Sequence, residues 1–306
     1  MTNNVLIITH REDYTADFLI HKLNERGLKY VRLNCEDLWH KNFKIGNSFE
    51  FNFEGISNFS SVWFRRTKLP KIETESLEIA NYLLNEYDSF LQNLLTIIDA
   101  RWFSNPHSIY RAENKLLQLK LASKLGFKIP DTLVTSSKNT LKEFYKQHDK
   151  SIILKPLSQS RIYKNDSLSL IFTNLAKEEH LLSLQDFELT PCIFQKYIKK
   201  KIELRVTVVG KDVFVASVDS QKNEKTKIDW RKENLNFIKA SLPTEIEEKC
   251  VELVSTLDLE FGAIDLILDD EGNYIFLEIN PNGQWAWIES QTNLPISESI
   301  IKYLYQ

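Results

Sequence analysis

Phe261-Gly-Ala-Ile-Asp-Leu-Ile-Leu-Asp-Asp-Glu-Gly-Asn-Tyr-Ile-Phe-Leu-Glu-Ile-Asn-Pro-Asn282 reads as two apolar strands joined by a turn at Asp270-Glu271-Gly272-Asn273. Asp265 lies on the first strand, Glu278 and Asn280 on the second. Residues i and i+2 of a strand share a face, so Glu278 and Asn280 point the same way. Antiparallel pairing can bring Asp265 onto that face too. Acids inside strands this apolar need a partner or a cation. Two carboxylates and an amide oxygen suit Mg²⁺, a hard cation usually shared between protein carboxylates and nucleotide phosphates. The competing reading is a plain hairpin with a few polar positions.

Around this hairpin lies a chain of 306 residues, long enough for two or three packed subdomains. Its hydrophobic share of 42% and charged share of 26% are ordinary for a globular protein. A net charge of -3 argues against bulk attraction to nucleic acid or to an anionic membrane. No basic stretch with a cleavable apolar run precedes the first strand, Val5–Thr9, and no run approaches a membrane span. Cys35, Cys192 and Cys250 are scattered and not in metal spacing, which fits a reduced cytoplasm and buried thiols. Glycine is scarce, at 8 residues, and neither GxGxxG nor GxxxxGK[ST] occurs. Rossmann and P-loop nucleotide sites are therefore disfavoured.

The pattern along the chain divides it into three units. Residues 1–126 alternate strands (Val5–Thr9, Tyr30–Asn34, Phe49–Phe53, Ser61–Arg65) with helices (Thr15–Arg26, Ile79–Ile98, Arg111–Lys124), an α/β arrangement closed by Gly126 and Pro130. Residues 127–192 hold strands near Asp131–Val134, Ser151–Lys155 and Leu168–Phe172, with a polar loop at Ser158–Asp166. Residues 193–306 hold strands Ile193–Tyr197, Leu204–Val209 and Val213–Asp219, a polar loop Gln221–Leu235, a helix Pro243–Leu257, the acidic hairpin and a last helix Ile296–Leu304.

Four features carry chemistry together. The hairpin is the first. Lys115, on a helix, and Lys155, ending the strand Ile152-Ile-Leu-Lys155, are point charges for phosphate. Phe194-Gln-Lys-Tyr-Ile198 is an extended hinge that offers backbone donors and acceptors to an adenine edge. Glu203 and Arg205 share a face of the next strand, where Arg205 could clamp a γ-phosphate or a developing acyl phosphate. Each feature alone reads equally as a surface lysine, a loop or a salt bridge.

In this order the features resemble the ATP-grasp ligases. That resemblance implies an α/β (α+β) fold of three subdomains, with a nucleotide cleft between the central and C-terminal ones. Residues 1–126 then form a pre-ATP-grasp domain, 127–192 the central subdomain and 193–306 the C-terminal subdomain. It further implies that Lys115 and Lys155 hold ATP phosphates and that Gln195, Lys196, Tyr197 and Ile198 line the adenine pocket. Glu203 becomes the ribose partner, Arg205 touches the reacting phosphoryl group, and Asp265, Glu278 and Asn280 bind Mg²⁺. Val62-Trp-Phe-Arg-Arg66, Ile228-Asp-Trp-Arg231 and Glu278-Ile-Asn-Pro-Asn-Gly-Gln-Trp285 look, more narrowly, like the peptide maturases that cross-link graspetides, the microviridin type. Such enzymes activate Asp or Glu side chains of a ribosomal precursor peptide, and a Ser, Thr or Lys side chain closes an ester or amide ring. A leader-bearing peptide partner and a homodimer are implied by the same resemblance.

On this reading Arg231 holds the substrate carboxylate bidentately and Asp229 orients or deprotonates the attacking hydroxyl; the competing reading is a loop salt bridge with a packed Trp230. One of Arg65 and Arg66 faces the substrate side of the cleft. The basic run from Lys196 to Lys232 reads as a solvated charged face or, flanking a nucleotide site, as a surface that steers an acidic peptide. The alternative is a carboxylate–amine ligase that adds free amino acids, which needs a small second-substrate pocket and no leader. The stretch Ser158–Asp166 departs from the family in lacking glycine, so Ser158, Ser160 or Arg161 would take the place of a Gly-rich phosphate loop.

Overall fold

Val5–Thr9 (β1) is buried at every position because both of its faces are covered, as expected of a strand inside a parallel sheet. Asp13 caps the following helix, Tyr14–Glu25 (α1), by accepting from the Thr15 and Ala16 N–H groups. Tyr30–Asn34 (β2) returns beside β1. The computed structural model describes residues 4–157, 161–164, 167–170, 173–182 and 191–306. Phe43–Ile45 (β3) and Phe51–Phe53 (β4) form a two-stranded antiparallel ribbon of their own. The strand expected at Phe49–Phe53 is thus shorter than anticipated, and it lies outside the main sheet. Ser61–Phe64 (β5), the long helix Leu77–Ile97 (α2) and Arg101–Phe103 (β6) complete the first unit. Its sheet has the order β2-β1-β5-β6 and is parallel throughout.

The helix expected over Arg111–Lys124 is two helices, Pro106–Ala112 (α3) and Lys115–Lys124 (α4). Asn114 interrupts them: its side chain accepts from the Leu117 N–H at 2.9 Å and starts α4 afresh. Gly126 then leaves the helix at a φ of 79°, as its expected capping role requires.

The central sheet joins Thr132–Thr135 (β7), Ile152–Lys155 (β8), Asn174–Leu175 (β11) and Cys192–Lys196 (β12) in the order β11-β8-β12-β7. Lys138–Gln147 (α5) and Glu178–Leu182 (α6) accompany it. Arg161–Lys164 (β9) and Ser167–Leu170 (β10) pair as a hairpin, so part of the expected polar loop is strand. Ser158, Ser160 and Asp166 lie outside the described residues, as does the end of the strand expected at Leu168–Phe172.

The last sheet is antiparallel, with the order β15-β14-β13-β16-β17. Its strands are Lys200–Val209 (β13), Asp212–Val218 (β14), Ile238–Lys239 (β15), Phe261–Asp269 (β16) and Tyr274–Asn280 (β17). Thr244–Thr256 (α7), Ala286–Thr292 (α8) and Ile296–Leu304 (α9) cover it. Two apolar clusters bind this sheet to the first unit: Leu6, Val62 and Leu94 share one with Leu204, Ile264 and Phe276, and Ile7, Leu19 and Trp63 share the other with Trp285, Ile288 and Ile300. The central unit instead has a small core of its own, around Leu141, Tyr145, Ile152, Leu181 and Phe194. Phe127 and Ile129, at its start, join the first of the two larger clusters. No helix among the described residues is long and apolar enough to cross a membrane. Cys35, Cys192 and Cys250 are free thiols, and burial pushes Cys250 up to about 12.

Candidate active site

Asp265 and Glu278 are direct cross-strand partners on β16 and β17, so their carboxylates share one face. Just beyond them the register slips: Leu266 pairs with Phe276, leaving Leu277 as an extra residue. This bulge turns both Leu277 and Glu278 toward one cleft, which they line with Asp265, Ile267, Lys115, Lys155 and Glu203. A second bulge at Lys201 puts Lys200 on the face of Glu203. Strict alternation hides both.

Arg205, opposite Asp265 on the central strand β13, donates from Nη1 to Asp265 Oδ1 at 2.8 Å. Nη2 donates to the Gln284 carbonyl at 3.4 Å. Burial raises the Asp265 pKa, and neighbouring Glu278 adds to the rise against the pull of Arg205. Glu278 is also penalised by burial, yet Lys155, Arg231 and Lys115 hold it below its ordinary value. Of the paired acids, Glu278 therefore keeps its charge more readily. Asn280 pairs with Ala263 on the same face. Among the described residues no group of three or more His, Cys, Asp or Glu gathers for a metal. A cation here would take two carboxylates and one amide from the protein and its remaining oxygens from phosphate and water, a set that Mg²⁺ accepts.

Lys115 begins α4, where the helix dipole disfavours a cation. Its Nζ donates to the Pro156 carbonyl at 2.8 Å, crossing to the central unit. Desolvation lowers the pKa of Lys115, opposed by Glu278, and does the same to Lys155. One turn on from Lys115, buried Gln118 clamps the edge of β17: Nε2 donates to the Ile279 carbonyl at 2.8 Å, and Oε1 accepts from the Ile279 N–H. The backbone between Glu278 and Asn280 is thereby fixed from α4.

Across the cleft, Gln195 is 1% exposed and pairs with Ile153, a cleft residue. Thr132 gives its hydroxyl proton to the Pro130 carbonyl, so it can only accept from Gln195 Nε2, at 3.0 Å. The amide orientation is thus set, and Oε1 is buried with no hydrogen-bond partner among the described residues. An orphaned acceptor on the expected adenine side fits an exocyclic amino group. Tyr197 and Ile198 line the cleft, whereas the Lys196 side chain is exposed and its N–H goes to the Asp131 carbonyl. Glu203 is buried against Lys200, whose Nζ donates to Oε1 at 2.7 Å and also to the Ile228 carbonyl at 3.2 Å. Burial raises the Glu203 pKa, with Lys200 opposing.

Asp229 and Arg231 engage each other. Arg231 Nε donates to Asp229 Oδ1 at 2.8 Å and Nη2 to Oδ2 at 2.6 Å. Two backbone N–H groups, of Arg231 and Thr173, take one further site on each oxygen, at 3.1 Å. A carboxylate offers about four lone-pair sites, and all of them are filled. Although burial opposes it, Arg231 holds this carboxylate below its usual range. The expectation that Asp229 deprotonates a hydroxyl meets a saturated, weakly basic group.

Arg65 lies inside the protein rather than on a substrate face. Nε donates to Asp13 at 3.2 Å, Nη1 donates to the carbonyls of Asn282 and Gly283, and the guanidinium sits over the Trp63 ring. Arg66 is half-buried, and its charge bears on Glu113. Much of the basic run is likewise balanced at short range: Lys199 by Asp270, Lys222 by Asp219, Lys225 by Glu233 and Lys227 by Glu224.

A RimK-like ATP-grasp domain matches residues 112–304, which contain every element of this cleft. The chain belongs to the RimK-like ATP-grasp family. As an ATP-grasp ligase it has full-length relatives among solved structures. A RiPP-associated ATP-grasp ligase of Chryseobacterium gregarium, solved with ADP and a leader and core peptide, matches with a TM-score of 0.89 and 32% identity, covering 99% of this chain and 96% of that one. The macrocyclase MdnC of Microcystis aeruginosa MRC, solved with the precursor peptide MdnA, gives 0.87 and 27%, covering 98% and 99%. Human N-acetylaspartylglutamate synthase A is 23% identical over 263 residues; the match takes in 83% of this chain but spans only 62% of that relative's length.

In and around this ATP-grasp cleft, Gln118 and Thr173 were not singled out from the sequence, and Lys200 and Gly283 entered only within the basic run and the Glu278–Trp285 motif. Gly283 has a packing signal alone: a Cβ there would lie 2.5 Å from Ala263 Cβ and 2.9 Å from Arg205 Nη2. For Gln118 the available clue is a polar residue three positions from Lys115 on the inner side of a helix.

Proposed function

We propose that this ATP-grasp ligase is a peptide macrocyclase that activates Asp or Glu side chains of a ribosomal precursor peptide and closes ω-ester or ω-amide rings. The observation that carries the reading is the end-to-end match, at 32% identity, to a ligase solved with a leader and core peptide. The carboxylate–amine ligase matched at 23% is spanned over only part of its length.

A carboxylate is a poor electrophile, and γ-phosphoryl transfer to its oxygen gives an acyl phosphate and ADP. A Ser or Thr hydroxyl, or a Lys amine, then attacks the carbonyl carbon and expels inorganic phosphate. Both steps depend on positioning and charge neutralisation. Mg²⁺, when bound, would offset the negative charge of the phosphates. Asp265, Glu278 and Asn280 would hold it, with Glu278 the more readily charged acid. Lys115 and Lys155 would meet phosphate oxygens, Gln195 Oε1 the adenine amino group, Ile198 and Tyr197 the base, and Glu203, held by Lys200, the ribose. Arg205 keeps Asp265 in place on the shared face. Arg231 remains the candidate for the substrate carboxylate, entering beside Asp229. A cytoplasmic location suits free thiols and an ATP supply.

The deciding experiment incubates the protein with ATP, Mg²⁺ and the acidic, Ser/Thr/Lys-bearing peptide encoded beside its gene. Intact mass should fall by about 18 Da per cross-link, the net loss of water from each captured acyl phosphate. The likeness to N-acetylaspartylglutamate synthase A favours a second reading, ligation of free amino acids. A mass gain on their addition, with no loss on the peptide, would establish it.

A further inference from the structure

We propose that Asp229 is a positioning residue that ties the central subdomain to the C-terminal one and, in the same contact, aims Arg231. Thr173 belongs to the central unit, just before β11, and its N–H reaches across the cleft to Asp229 Oδ2 at 3.1 Å. The same oxygen accepts from Arg231 Nη2 at 2.6 Å. Closing the cleft and fixing the guanidinium therefore use one carboxylate.

Three features make this coupling physical. First, beyond Phe127 and Ile129, which pack with the last sheet, the described residues of the central unit gather around a small apolar core of their own, so polar contacts that cross the cleft bear on its position. Second, the segment that bears Asp229 is held rigidly on its own side. Lys200 Nζ donates to the Ile228 carbonyl, and the Trp230 ring packs against Phe237 and Trp287 with centroids 5.0 and 5.6 Å away. A rigid mount lets a contact at Asp229 orient the neighbouring residue. Third, Asp229 is 5% exposed, and its acceptor sites are filled by Thr173 and Arg231 alone. A buried carboxylate with that satisfied set is costly to break on either side. Loss of Arg231 would leave a buried charge that draws in water and loosens the Thr173 bond, although Arg231 does not itself meet Thr173.

The inference rests on the ATP-grasp cleft and not on which carboxylate enters it, so the test uses no peptide. Hydrogen exchange is followed in the segment containing Thr173, with Mg²⁺ and a non-hydrolysable ATP analogue, for the wild type and for Asp229→Ala, Asp229→Asn and Arg231→Ala. The Thr173 amide should exchange about tenfold faster in Asp229→Ala, the factor carried by a lost hydrogen bond to a charged group. It should also exchange faster in Arg231→Ala, while Asp229→Asn, which keeps an oxygen for the amide, should restore most of the protection. Unchanged Thr173 exchange in Arg231→Ala would show two independent contacts and overturn the proposal. Unchanged exchange in Asp229→Ala would remove the cross-cleft tie altogether. Should Asp229→Ala fail to fold, the Arg231→Ala and Asp229→Asn pair still decides, because both retain an acceptor at position 229.

Discussion

Arg205 Nη1 and Asp265 Oδ1 meet at 2.8 Å across adjacent strands, in the middle of the acidic sheet face. The pair fills the space between the carboxylates and the turn after β17. Gly283 of that turn approaches so closely that a Cβ would lie 2.5 Å from Ala263 Cβ and 2.9 Å from Arg205 Nη2. The need for glycine here is close packing, not a left-handed backbone. Gly283→Ala should displace Arg205 and cost about 1–3 kcal/mol of stability, as overpacking does. Thermal denaturation checks it. A melting temperature equal to the wild type's would show that the turn yields freely.

Glu278→Gln keeps size and one oxygen but removes the charge that Lys155, Arg231 and Lys115 favour. Turnover should fall by at least about a hundredfold, within the range for losing a main charge-stabilising group. Calorimetry with ADP should show that the variant has lost the gain in affinity that Mg²⁺ gives the wild type. Retention of that gain would remove Glu278 from the cation site.

Gln195→Met removes the orphaned amide oxygen while leaving Thr132 free to donate to the Pro130 carbonyl. The fold should be spared. Affinity for ADP should weaken by about tenfold, the value of one hydrogen bond made in an apolar pocket. Unchanged affinity would place the adenine amino group elsewhere.

Legibility in the sequence followed chemical contrast. Asp265 and Glu278 stood out because acids are rare in strands such as Ile264–Leu268 and Ile275–Ile279, but their direct pairing depends on the bulge at Leu277 and not on a period of two. Lys155 stood out as a charge ending an apolar strand. Bulges do not show in a periodic pattern, so the turning of Leu277 and Lys200 into the cleft was hidden. Helical periodicity runs straight through Asn114, which concealed the break that makes Lys115 the first residue of its helix. Arg65 looked like a cleft cation because its burial depends on a turn more than 200 residues away, at Asn282 and Gly283. Asp229 and Arg231 read either as two separate agents or as a loop salt bridge, and the fork does close on its neighbour.

The same distant turn gives a pH dependence. Asp13 is buried and accepts from the Thr9 hydroxyl, the Thr15 and Ala16 N–H groups and Arg65 Nε. Burial alone would raise its pKa, but Arg65 and these donors outweigh it and hold the carboxyl below its ordinary value of 3.8. A depressed carboxylate contributes stability that is fully present above the unfolded pKa and is lost as pH falls through the folded one. Asp13→Asn should therefore be less stable than the wild type by about 1–3 kcal/mol near neutrality, the scale of a charge-assisted bond. The gap should hold down to about pH 5 and narrow below 3.8, as the wild-type carboxyl takes up its proton. Melting temperatures of both proteins at pH 7, 5 and 3 test this. A constant gap would mean that Arg65, and through it the turn carrying Asn282 and Gly283, is held by the shape of Asp13 and not by its charge.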